Sequence, residues 1–147
     1  MADVRKSRVV IVASRFNESI TRRLVEGAQR TLERAGVPPS QMTIWWVSGA
    51  FELPVAVAVA VTRLKPAAVI ALGCLIKGET PQYLTIGQAV ASGLTHVSVT
   101  TGVPVTFGVI IADSLRQAAA RAGGSVGHRG REAASAALSA IELFHHA

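Results

Sequence analysis

The chain has a single cysteine, Cys74. One thiol excludes an intrachain disulfide and supplies no cluster of soft ligands for a metal, and none is expected. Aromatic residues make up only 5% of the 147 positions, too few for the stacking platforms that hold single-stranded nucleic acid. The formal net charge of +6 is scattered along the chain. It therefore reads as solubility and a preference for small anions, with no nucleic-acid partner expected. Long apolar runs are also missing: "LPVAVAVAV" from Leu53 and "AAVIALGCLI" from Ala67 fall short of a bilayer span, so no membrane partner is expected. The opening "MADVRKSRVVIVAS" leads directly into Arg15, unlike a secretory leader, and a cytoplasmic location is expected.

What the chain has is alternation. "RVVIVAS" from Arg8 is a short β-branched run, and after it Ile20, Leu24, Ala28 and Leu32 recur four apart until Gly36 closes a helix. "MTIWWVS" reads as a second strand. "FELPVAVAVAVTRLK" reads as a helix ending at Pro66, although its valines suit a strand equally well. "AAVIALGCLI" is the continuous apolar run that burial on both faces of a parallel sheet demands. Thr80 as N-cap and Pro81 at the first helical position open a helix that runs to about Gly102. "VPVTFGVII" makes the fourth strand, Asp113 caps the next helix over "DSLRQAAARAG", and "GREAASAALSAIELFHH" closes the chain as an Ala-rich helix. Four β-α units and one further helix predict an α/β three-layer sandwich. A four-stranded parallel sheet carries helices on both faces, and residues 1–147 form one domain.

In such a sheet ligands collect beyond the carboxyl ends of the strands. Phe16, Phe51 and Phe107 fall there, three of only four phenylalanines in the chain. Rings at strand ends can sandwich a flat heterocycle, and they can equally be ordinary core. "GETPQYLTIG" from Gly78 opens a helix, and a helix start presents unpaired N–H groups to an anion.

"SRFNESIT", "GAFELP", "ALGCLIKGETP", "TGVPVTFGV" and "RAGGSVGHRGREAA" occur in an order and spacing that resemble the lumazine synthase family over nearly the whole chain. The resemblance implies a flavodoxin-like topology and the penultimate step of riboflavin biosynthesis. There 5-amino-6-(D-ribitylamino)uracil condenses with 3,4-dihydroxy-2-butanone 4-phosphate, phosphate and water are released, and no cofactor takes part. It further implies that Phe16 stacks on the pyrimidine, that Ala50, Phe51 and Glu52 hold the ribityl chain and uracil, and that the backbone of Cys74, Leu75 and Ile76 meets the uracil edge. Glu79 and Thr80 align with the phosphate-facing helix start, Phe107 with an aromatic wall, and Arg121 with the guanidinium on the phosphate ester. Lys77 and Arg129 are secondary cations. Glu52 reads equally well as a surface carboxylate in a first helical turn, Arg121 as a solvated helix charge.

The chain departs from the family pattern at the proton-transfer histidine, whose place is taken by Gln82. An amide orients hydroxyls but moves no proton. Tyr83, Leu84 and Thr85 continue the departure, and Ser48 stands where proline is common. His128 replaces a frequent asparagine and is either a displaced proton carrier or a loop residue. The expected alternative is a weakened flavin-precursor-binding or shell-forming protein of the same fold. The resemblance also implies homopentamers with active sites between subunits. The lack of an insertion in "RAGGSVGHRG" points to an icosahedral shell of such pentamers, with an isolated or paired pentamer as the alternative.

Overall fold

Six consecutive residues, Val9–Ser14, are all buried, and in the computed structural model, which describes residues 4–147, they form the strand β1 inside a four-stranded sheet. Helix α1 (Glu18–Arg34) follows, then β2 (Met42–Val47), α2 (Leu53–Leu64), β3 (Ala68–Ile76), α3 (Gln82–Thr101) and β4 (Val105–Ala112). The chain ends with the short α4 (Leu115–Ala120), strands β5 (Ala122–Gly124) and β6 (Gly127–His128), and α5 (Arg129–His145). The sheet order is β2-β1-β3-β4 and every neighbour pair is parallel. The expected α/β sandwich with a flavodoxin-like order is therefore found.

Alternation along the strands divides the core. Val9, Ile11 and Ala13 join Ile70 and Leu72 beneath α1 and α5, while Val10 and Val12 join Val69 and Ala71 beneath α2 and α3. Both central strands are thus apolar on both faces, as a covered parallel sheet requires. The valine-rich segment settles as a helix because its buried residues, Leu53, Val57, Ala60 and Val61, form one stripe at helical spacing. Pro54 sits in its first turn and Lys65 ends it in the left-handed conformation. Among the described residues no helix is long and apolar enough to cross a membrane.

Three local expectations are corrected. Helix α3 begins at Gln82, with Pro81 in the cap position and no side-chain capping bond, so Thr80 stays in the loop and does not cap. Ser114, not Asp113, caps α4: its hydroxyl accepts from the Gln117 N–H at 3.1 Å. The Gln117 side chain answers by accepting from the Asp113 N–H at 2.6 Å, a reciprocal arrangement close to a capping box. Finally α4 stops at Ala120, and the antiparallel pair β5-β6 intervenes before α5. Arg121 accordingly lies on the connection beyond a helix, not within one.

Candidate functional site

The sheet order reverses between β1 and β3, so a crevice opens where their carboxyl ends diverge. The chain leaving β1 is tied to the end of β2 by two backbone bonds, Arg15 N–H to the Val47 carbonyl at 2.8 Å and Phe16 N–H to the Ser48 carbonyl at 3.0 Å. Asn17 then takes a left-handed conformation, φ 61°, which asparagine tolerates better than most side chains. Its Nδ2 donates to the Cys74 carbonyl at 2.9 Å and so straps β1 to β3 across the crevice. These bonds hold Phe16 at the rim, 68% exposed.

The second rim is a single 3-10 turn, Ala50–Glu52. The Glu52 carboxylate accepts from the Gly49 N–H at 3.0 Å, fixing the turn that lifts Phe51 to 63% exposure. Between the rims lies a cavity of about 580 Å³, within the usual range for small-molecule sites. Phe16, Gly49, Ala50 and Phe51 form one side, Leu75 and Ile76 of β3 the floor, and Gly78, Glu79, Thr80, Gln82, Tyr83 and Ile86 the side made by the start of α3.

Of the residues singled out in the sequence, Phe16, Ala50, Phe51, Leu75, Ile76, Glu79, Thr80 and Gln82 meet at this cavity. Glu52 lies beside it and is engaged by its own turn. Cys74 contributes no side chain to it: the thiol is buried among the residues under α1 and α5, on the other face of the sheet. Burial pushes that thiol up to about 11, which removes it as a nucleophile. A thiol reagent at pH 8 is expected to leave Cys74 unmodified in the native protein and to titrate it fully after denaturation. Rapid native labelling would contradict the placement.

Phe107, Arg121 and Arg129 do not reach this cavity. Phe107 stands on the edge strand β4, 42% exposed. Arg121 donates from Nη1 to the Gln117 carbonyl at 3.0 Å, and Arg129 is paired with Glu132 at 2.7 Å. Among the described residues the cavity wall therefore contains no lysine or arginine. His128 does not stand on the wall of this cavity either. It caps α5, with Nδ1 accepting from the Arg131 N–H at 3.3 Å, and its ring occupies the space a Cβ on Gly27 would fill. Desolvation, helped by the Arg131 charge, lowers its pKa, so the imidazole favours the neutral form that a cap acceptor needs.

Two relevant residues carried no chemical assignment in the sequence. Asn17 had a usable signal, an Asn directly after a strand. The pairing of Tyr83 with Asp113, Oη to Oδ1 at 3.2 Å, joins positions 30 apart and no local pattern announces it. Desolvation, then Asp113, raises the Tyr83 pKa.

Comparison with known proteins adds to this geometry. Residues 6–145 match the family model described as 6,7-dimethyl-8-ribityllumazine synthase. A protein of that name from Gemmatimonas aurantiaca is 45% identical over 137 residues, 93% of this chain and 84% of the relative. One from Leuconostoc mesenteroides is 38% identical over 144 residues, covering 98% and 92% of the two chains. One from Protochlamydia amoebophila is 38% identical over 141 residues, covering 96% and 82%.

Proposed function

The chain belongs to the 6,7-dimethyl-8-ribityllumazine synthase family, and we propose that its cavity joins 5-amino-6-(D-ribitylamino)uracil to 3,4-dihydroxy-2-butanone 4-phosphate in riboflavin biosynthesis. The observation that carries the site assignment is the convergence of Phe16, Phe51 and the first residues of α3 on one cavity at the sheet's reversal point. Phe16 and Phe51 stack on the flat pyrimidine, and the backbone of Leu75 and Ile76 meets its polar edge. The loop 78–81 and the first N–H groups of α3 receive the phosphate, which both the unpaired donors and the helix dipole favour.

Holding the two substrates in contact accounts for much of the acceleration, since a well-oriented pair reacts as if at very high local concentration. Proton transfer is a smaller part, so Gln82 at the histidine's position is compatible with turnover. Purified protein mixed with both substrates is expected to form lumazine, followed by absorbance, faster than the uncatalysed reaction. A rate equal to that background would defeat the enzyme reading and leave the binding-protein alternative.

The active form is an oligomer with sites between subunits. A phosphate ester needs a cation, and the wall formed by one chain has none; Arg121 and Arg129 stand elsewhere on the same chain, available to a neighbour's cavity. Exposed apolar side chains support this, with Val55 at 63% and Val99 at 77% exposure. Helix α3 also carries no Asp, Glu, Lys or Arg in its 20 residues, an unusual surface for a helix left in water. We take the unit to be a pentamer and the assembly an icosahedral shell. Light scattering decides: a monomeric mass would defeat the shared site, whereas a pentameric mass would defeat only the shell.

A further inference from the structure

We propose that Tyr83 and Asp113 carry out the proton transfer that Gln82 cannot. This rests on the synthase reading above. Among the described residues, only Glu79 and Tyr83 of the cavity wall can exchange a proton. Glu79 stands on the loop assigned to the phosphate, where a carboxylate and a phosphate dianion repel each other. Tyr83 is one residue beyond Gln82, lines the same cavity, and has what Glu79 lacks, a second group to pass the proton to. Its Oη lies 3.2 Å from Asp113 Oδ1.

The structure holds that acceptor in place. The Asp113 N–H is bonded to the Gln117 side chain at 2.6 Å, and the preceding residue, Ala112, accepts at its carbonyl from the Lys77 N–H at 2.9 Å. The end of β4 is thereby joined to the loop that leads into α3. Because the phenol donates to the carboxylate, its oxygen keeps lone pairs that can accept a proton.

Once the pyrimidine amine has formed an imine at C2 of the butanone phosphate, the C3–H bond breaks and its proton goes to Tyr83 Oη. The phenol's own proton passes to Asp113 Oδ1. The C3–H electron pair becomes the C3–C4 double bond as the C4–O bond breaks, and that bond's pair leaves with the phosphate. Asp113 then returns its proton through Tyr83 to C4 of the resulting enol, which makes the methyl group, while the enol O–H proton is released to the departing phosphate and a ketone is left at C3. The ribitylamino nitrogen bonds to C3, its own proton passing to the ketone oxygen. That hydroxyl leaves as water with the N–H proton of the pyrimidine ring, so both residues regain their starting states. Tyr83 is the catalytic residue. Asp113 acts through it.

The test is steady-state kinetics on the assembled protein with both natural substrates. Tyr83→Phe and Asp113→Asn are each expected to lower kcat about tenfold, less than the roughly 10²-fold or more usual for lost acid–base catalysis because water can partly replace the relay. KM for either substrate should stay within about twofold. The double variant should be no slower than the single ones. Gln82→His should speed Tyr83→Phe by a clearly larger factor than it speeds the wild type, because it replaces the lost relay, whereas a packing role for Tyr83 predicts the same factor in both backgrounds. Asp113 is exposed, so Asp113→Asn keeps the test available if Tyr83→Phe disturbs folding. Unchanged kcat in both variants overturns the relay, as does a raised KM with kcat intact. Wild-type protein no faster than the uncatalysed reaction would instead overturn the synthase reading itself.

Discussion

Gly130→Ala is expected to destabilise the chain by about 2–3 kcal/mol, more than any other single methyl group added at a site described above. Gly130 is the second residue of α5 and is buried against α1. A Cβ there would fall on the carbonyl oxygen of Leu24 and within 2.9 Å of that residue's carbonyl carbon and Cα. These are backbone atoms inside a helix, and no rotamer change relieves the overlap. The two helices must separate, and they jointly cover one face of the sheet through Leu24, Ala28, Ala133 and Ala137. The better helix propensity of alanine, worth at most about 1 kcal/mol, offsets only part of the cost. Gly78→Ala is the control, because nothing lies within 4 Å of its added Cβ. For a domain of this size the Gly130 variant should melt roughly 5–10 °C lower, with Gly78→Ala within a degree or two of wild type. Equal melting points would show that α1 and α5 have slack that their packing does not reveal.

That contact marks where the sequence stopped being informative. The strands were legible because their composition is one-sided: β1 and β3 are unbroken apolar runs, and only a sheet covered on both faces accepts them. Helix α2 was legible despite its valines, because Pro54 at the start and Lys65-Pro66 at the end bracket a helix-length segment. The pair β5-β6 was not legible, since three residues and two residues rich in glycine carry no period. The caps slipped by one residue for a related reason. Asp113 and Ser114 are both good caps, and the choice was made by Gln117, which bonds to each.

At the site, residues that follow strand ends could be collected from the sheet rule alone, and Phe16, Phe51 and the α3 start do meet. The Tyr83–Asp113 contact depends on how β4 ends relative to α3. The cap made by His128 depends on Gly27 leaving room for its ring. Both are tertiary facts between distant positions, beyond the reach of any local pattern. Phe107 and the arginines are a different case. One chain leaves them away from its own cavity, and the roles proposed for them depend on a second chain.

Arg121→Ala is expected to weaken the butanone phosphate by about 1.5–3 kcal/mol, on the order of 10- to 150-fold in KM or Kd, while affinity for the ribityl pyrimidine stays within about twofold. The cavity lacks a cation of its own, and a phosphate dianion placed at the α3 start would have only neutral donors and the nearby Glu79 carboxylate around it. In the proposed oligomer a guanidinium from the neighbouring subunit would supply the missing charge with paired, charge-assisted bonds. Arg121 is better prepared for this than Arg129. One of its nitrogens is bonded to the Gln117 carbonyl, a neutral acceptor that orients the planar group without neutralising it. Arg129 is already held by the Glu132 carboxylate at 2.7 Å and would have to exchange one anion for another. Arg129→Ala should therefore cost several-fold less than Arg121→Ala. Lysine at position 121 should recover only part of the loss, because a point charge keeps the attraction and loses the paired geometry. The measurement is a titration of each ligand separately, with light scattering to confirm that the oligomer is intact. Equal weakening of both ligands would assign Arg121 to the assembly, and no weakening of either would remove it from the phosphate site.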